Sequence, residues 1–155
     1  MIDSILKNPA FQESLEALAS EQGSSLSELN GKARKYLGEL ATKHDPILDM
    51  VSVEGSHFIL SQAYDRTIDV HPGEIKEVAR LMRRHPVAFV MTHKTYIDML
   101  VLGTVLAKHG LPLPYIFAGI NMSFMGLGQL GRKVGLIFIR RSFRNNPLYK
   151  MALRF

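Results

Sequence analysis

Along the first third of the chain, apolar positions recur at helical intervals. Phe11, Leu15, Leu18 and Ala19 share one face. They follow Asn8-Pro9, a capping residue with a proline suited to the first helical turn, and Gly23 closes the run. Ser25 with Glu28 has the form of a capping box. Behind it, Leu26, Leu29, Ala33, Tyr36, Leu37 and Leu40 again keep helical spacing. Asp45-Pro46 interrupts the pattern, and a third helix is predicted over about residues 57–66.

The pattern then shifts to apolar runs separated by turn residues. Residues 67–70 read as a short strand. Pro72-Gly73 leads into a basic amphipathic helix carrying Ile75, Val78, Leu81 and Met82, stopped by His85-Pro86. Residues 87–91 form an unbroken apolar run, as a buried strand does. A helix over 97–108 ends at Gly110, and 115–118 is a second buried strand. Residues 122–130 are either a short helix or a glycine-broken loop, 135–139 is another strand, and 145–155 begins a helix. Helices followed by alternating strands and helices predict an α/β chain: an N-terminal helical region over 1–66, then a layered domain over 67–155.

Charge divides at the same place. From Ala79 onward twelve lysines and arginines face a single acid, Asp98, although the whole chain carries only +5. So basic a segment needs an anionic counterpart, whether nucleic acid, a phosphorylated substrate or an acidic membrane. The absence of cysteine excludes disulfides and thiolate chemistry. Residues 109–131 carry no formal charge, but Pro112, Pro114 and the glycines break any spanning helix. A shallow membrane-contact loop with Phe124, Met125 and Leu127 is the alternative use of that stretch.

Two histidines stand five residues before an aspartate: His44 with Asp49, and His93 with Asp98. His44 fits a helix end and turn, a structural role in which it and Asp49 form no cleft pair. His93 follows the predicted strand 87–91, and strand ends are where α/β folds place their sites. Thr92 or Thr95 can cap the next helix. With His93 before that helix and Asp98 in its first turns, the carboxylate can hold one imidazole nitrogen and leave the other for proton transfer. Asp98 also interrupts an apolar helix, where an unpaired carboxylate is costly. The competing reading of His93 is a hydrogen-bonded core histidine. Arg140-Arg141 directly follows the strand 135–139; the pair suits bidentate phosphate binding, or is a solvated basic edge.

Taken together these blocks resemble the glycerol-3-phosphate and dihydroxyacetone-phosphate acyltransferase family. Residues 93–98, His-Lys-Thr-Tyr-Ile-Asp, resemble its His-x4-Asp block, and 135–141, Gly-Leu-Ile-Phe-Ile-Arg-Arg, its second block. Residues 118–121, Ala-Gly-Ile-Asn, and 141–149 resemble that branch in particular. The resemblance implies the first part of an αβα acyltransferase fold. It implies acyl transfer from acyl-CoA or acyl-carrier protein to the sn-1 hydroxyl of glycerol 3-phosphate, the first step of phospholipid synthesis. His93 would be the general base, Asp98 its orienting acid, and Arg141, with Arg140 beside it, the phosphate ligand. No metal or cofactor is implied, and attachment would be peripheral, at the cytoplasmic face of a membrane. The family's third and fourth blocks do not occur here, so the chain is expected to be an incomplete domain with little activity alone. The competing classes are a basic α/β nucleic-acid-binding module and an inactive fragment.

Overall fold

The computed structural model describes all residues except 64–67, 93, 96 and 124–126. The described chain is mixed α/β and divides into two compact units, Met1–Lys43 with Tyr115–Phe155, and His44–Pro114.

The first unit is built on three N-terminal helices, α1 (Ile2–Leu6), α2 (Pro9–Gln22) and α3 (Leu26–Leu40). The Asn8 carboxamide accepts from the N–H groups of Ala10 and Phe11, so α2 starts where the sequence puts it. Ser25 Oγ accepts from Glu28 N–H and starts α3. From these helices Phe11, Leu15, Leu18, Leu29, Ala33 and Leu37 enter one core with Leu148, Met151 and Ala152. The last three come from α8 (Pro147–Arg154), capped by the Asn146 side chain. An amphipathic C-terminal helix thus closes a core that the N-terminal helices open.

Between them in the chain come the two strands of the sheet. Strand β1 (Ile116–Gly119) pairs in parallel with β2 (Leu136–Ile139), Gly119 standing opposite Ile139. Parallel partners need a crossover. Among the described residues it is a 3-10 turn over Ile120–Ser123 and the helix α7 (Leu127–Lys133). Gly135 has φ +85°, a left-handed turn that a Cβ resists, and β2 therefore begins one residue later than its apolar run. Ala118 and Phe138 are buried, but Phe117 is 68% exposed, so β1 is covered on one face only rather than buried on both.

In the second unit α4 (Pro46–Ala63) packs against α6 (Ile97–Lys108), with Leu60 and Leu106 buried. The start predicted near residue 57 is wrong by three turns. Asp45-Pro46 begins a helix here rather than breaking one: the Asp45 carboxylate accepts from Ile47 and Leu48 N–H, and Pro46 occupies the first turn. The helix α5 (Pro72–Met82) begins at its proline as expected.

Two predicted strands are absent among the described residues. Residues 68–70 have no ladder partner, and Thr67 lies outside the described residues. The run 87–91 is neither helix nor strand, and Val90 is 95% exposed. Apolar β-branched residues make an extended backbone easy, but a strand exists only where another strand accepts its hydrogen bonds. The described part of this unit supplies none.

The two kinds of stabilisation in the first unit are separable. Phe11→Ala is expected to cost about 3–5 kcal/mol, the range for emptying a buried aromatic site. Asn8→Ala should cost about 1 kcal/mol by removing one cap. Urea denaturation followed by circular dichroism measures both; equal losses would show that the cap and the core are not separate contributions.

Candidate active site

Asp98 lies in the first turn of α6, and its position comes from a local exchange of hydrogen bonds. Its Oδ2 accepts from the N–H groups of Lys94 and Thr95, both at 3.0 Å. Thr95 Oγ1 donates to Asp98 Oδ1 at 3.3 Å and accepts from Ile97 N–H at 3.2 Å. This is a capping box, threonine at the cap and aspartate three residues on. Of the two threonines predicted to cap this helix, Thr95 fills the role. These backbone and hydroxyl donors offset part of the cost of placing a carboxylate in an apolar helix. The signal, Thr-x-x-Asp, was present in the sequence.

His93 lies outside the described residues, as do Phe124 and Met125 of the proposed membrane loop. The other pair behaves against expectation. His44 Nδ1 is 2.8 Å from Asp49 Oδ1, both side chains being about four-fifths buried. Asp49 also lines a cavity of about 760 Å³ with Val53, His57, Asp69, Thr104 and Lys108. The pair closes because His44 precedes α4 while Asp49 sits in its first turn. A five-residue offset cannot meet on one helix face, but it can when the first residue is outside the helix.

The two arginines after β2 have different fates. Arg140 is gripped from both sides of its fork by Glu39, Nε to Oε2 at 2.9 Å and a terminal nitrogen to Oε1 at 2.7 Å. Its guanidinium lies over the rings of Tyr36 at 4.9 Å and Tyr149 at 5.4 Å. The hydrogen bond from Arg140 to Glu39 holds the guanidinium proton more firmly than usual, against an opposing effect of burial. The Tyr149 hydroxyl accepts from Arg140 N–H, and Asn146 Nδ2 donates to the Tyr36 hydroxyl. Arg140 is therefore fully engaged inside its own unit. Arg141 is exposed and, among the described residues, has no hydrogen-bonding or ionic partner. Its Nε stands close to Gly119, at the carboxyl end of the neighbouring strand. Glu39 was not singled out in the sequence; an acid 101 residues from its arginine leaves no local signal.

These differences are measurable as stability. Arg140→Met should cost about 1–3 kcal/mol, because it strands the Glu39 carboxylate. Arg141→Met should stay within about 0.5 kcal/mol of the parent. A double-mutant cycle with Glu39→Gln should find coupling at Arg140 and none at Arg141; coupling at both would refute the division of roles. Thr95→Ala should cost about 1 kcal/mol, with Thr95→Ser restoring it, if the cap is as described.

The chain matches the Acyltransferase family over residues 72–153. Two proteins of Xylella fastidiosa, strains M12 and 9a5c, each called glycerol-3-phosphate acyltransferase, are 34% identical to it over 154 residues. The corresponding protein of strain M23 is 33% identical. These alignments take in 99% of the chain but 17% of each relative, so the chain spans only that share of the proteins it matches. The family match runs from the first turn of α5 into α8, through the helix that carries Asp98 and the strand that delivers Arg141. On that extent of agreement the chain belongs to the acyltransferase family.

Proposed function

We propose that the polypeptide containing this chain moves a fatty acyl group from acyl-CoA or acyl-carrier protein to the sn-1 hydroxyl of glycerol 3-phosphate, the opening step of phospholipid synthesis. The observation that carries this reading is the likeness, along 99% of the chain, to proteins called glycerol-3-phosphate acyltransferase. In this reading residues 67–155 are the first part of an αβα acyltransferase domain, and 1–66 precede it as a helical region.

The chemistry needs a base, a group to orient it, and an anchor for the acceptor. His93 takes the proton of the sn-1 hydroxyl as its oxygen attacks the thioester carbonyl. Asp98 holds the imidazole tautomer and stabilises the imidazolium that forms. When the tetrahedral intermediate collapses, the carbon–sulfur bond breaks and the leaving thiolate takes the proton from His93. Arg141 binds the acceptor phosphate, because a guanidinium fork matches two phosphate oxygens. Support for Arg141 over Arg140 comes from Glu39, which already occupies the Arg140 fork. Support for Asp98 comes from its capping box, which fixes the carboxylate before substrate arrives.

Binding to a membrane is proposed to be peripheral, on the cytoplasmic face, through the basic second half of the chain. Among the described residues no helix is long and apolar enough to cross a bilayer.

The test is an acylation assay with glycerol 3-phosphate and a long-chain acyl-CoA, on the full-length polypeptide carrying this segment and on the 155 residues alone. The longer protein should turn over and the segment alone should do so little. His93→Ala and Asp98→Asn should each lower kcat by about 10²–10⁴-fold. Arg141→Lys should mainly raise KM for glycerol 3-phosphate, since a bidentate grip becomes a point charge. An inactive full-length protein, or one indifferent to His93→Ala, would refute the reading.

A further inference from the structure

The parallel register aligns the ends of the two strands, Gly119 beside Ile139. The chain leaving β1 toward Asn121 and the chain leaving β2 toward Arg141 therefore start from the same edge of the sheet. Carboxyl edges of parallel strands are where α/β folds gather ligand-binding groups. After Gly119 the backbone curls into the 3-10 turn Ile120–Ser123, which folds the Asn121 side chain back over the strand end.

That folding back is visible at Gly119. A Cβ there would stand 2.5 Å from Asn121 Oδ1 and 3.6 Å from Arg141 Nε. The first distance is shorter than carbon and oxygen tolerate without a bond. Only glycine leaves the carboxamide in this place, so the bare Gly119 backbone is flanked by an amide and a guanidinium. Both side chains are exposed, and neither has a hydrogen-bonding partner among the described residues. Two polar groups converge on one small patch and are not used by the fold.

We propose that Asn121 is a specificity residue for the acceptor: its carboxamide reads the secondary hydroxyl of glycerol 3-phosphate, the one beside the phosphorylated carbon, while Arg141 holds the phosphate. This rests on the acyltransferase reading above and adds a residue to it. A carboxamide suits the task. It both donates and accepts, so it matches a hydroxyl, whereas a carboxylate there would repel the phosphate and an ammonium would compete for it. Arg141 cannot serve both groups, since its planar fork is taken up by phosphate oxygens.

The experiment compares two acceptors on the full-length enzyme. Glycerol 3-phosphate carries the secondary hydroxyl; 1,3-propanediol monophosphate lacks it but keeps the phosphate and the primary hydroxyl that is acylated. The readout is the ratio of kcat/KM for the two, measured on one preparation, so that any loss of folded protein cancels. The wild type should prefer glycerol 3-phosphate, and Asn121→Ala should lower that ratio about tenfold, the worth of one hydrogen bond to the acceptor. Gly119→Ala, which displaces the amide oxygen without removing it, should lower the ratio in the same direction. Arg141→Met should depress both acceptors together and keep the ratio. A wild-type enzyme that acylates glycerol 3-phosphate, with a ratio unmoved by Asn121→Ala and Gly119→Ala, overturns this proposal alone. An enzyme that acylates neither acceptor overturns the functional reading and this proposal with it.

Discussion

The pairing of Glu39 with Arg140 ties the N-terminal helices to the strand that ends at the proposed phosphate site. A carboxylate from the last turn of α3 meets a guanidinium just past β2, and two tyrosine rings enclose the guanidinium. The same helix end is held a second time: Arg132 donates to the Glu39 carbonyl, while Thr42 and Lys43 donate to the Arg132 carbonyl. A cation at a helix C-terminus also satisfies carbonyls that the helix itself leaves open. The N-terminal region thus packs against β2 and is tied to the residue that follows it. It also answers part of the charge imbalance, because an acid from the acidic half neutralises a base from the basic half.

That clamp divides labour between adjacent residues. Successive side chains at a strand end point in opposite directions. Once Glu39 claims Arg140, Arg141 is left on the side where β1 ends. Phosphate binding by the pair as a unit would require breaking a bidentate ion pair set against two aromatic rings. Binding by Arg141 requires no such exchange.

The two histidine–aspartate offsets show how the same spacing takes its meaning from the helix start beside it. In both, the aspartate lies in the first turn, where the helix dipole favours a negative charge. For Asp49 the capping work falls to Asp45, and its carboxylate goes to His44. Asp98 is itself part of the cap and is fixed by two backbone N–H groups. A carboxylate held this way needs little reorganisation when an imidazolium forms near it, which is what an orienting acid requires.

Much of this was legible in the chain itself. Asn8-Pro9, Ser25, Pro72 and the limits of α6 were readable because caps, prolines and helical periodicity act over a few residues. The apolar runs that became β1 and β2 were readable for the same reason. The sequence also marked Asp98 and the arginine pair, since residue chemistry and position after an apolar run need no tertiary knowledge. Other features were decided only by packing. The run 87–91 has the composition of a strand, yet strand state depends on hydrogen bonds from a partner distant in sequence. Asp45-Pro46 reads equally as a break or a beginning until the following turns find α6 to pack against. The choice between Arg140 and Arg141, and the approach of Asn121 to Gly119, depend on side chains brought together by the parallel register and by α3. Local sequence determined which elements could form; contacts between distant residues determined which of their charged groups remained available for a substrate.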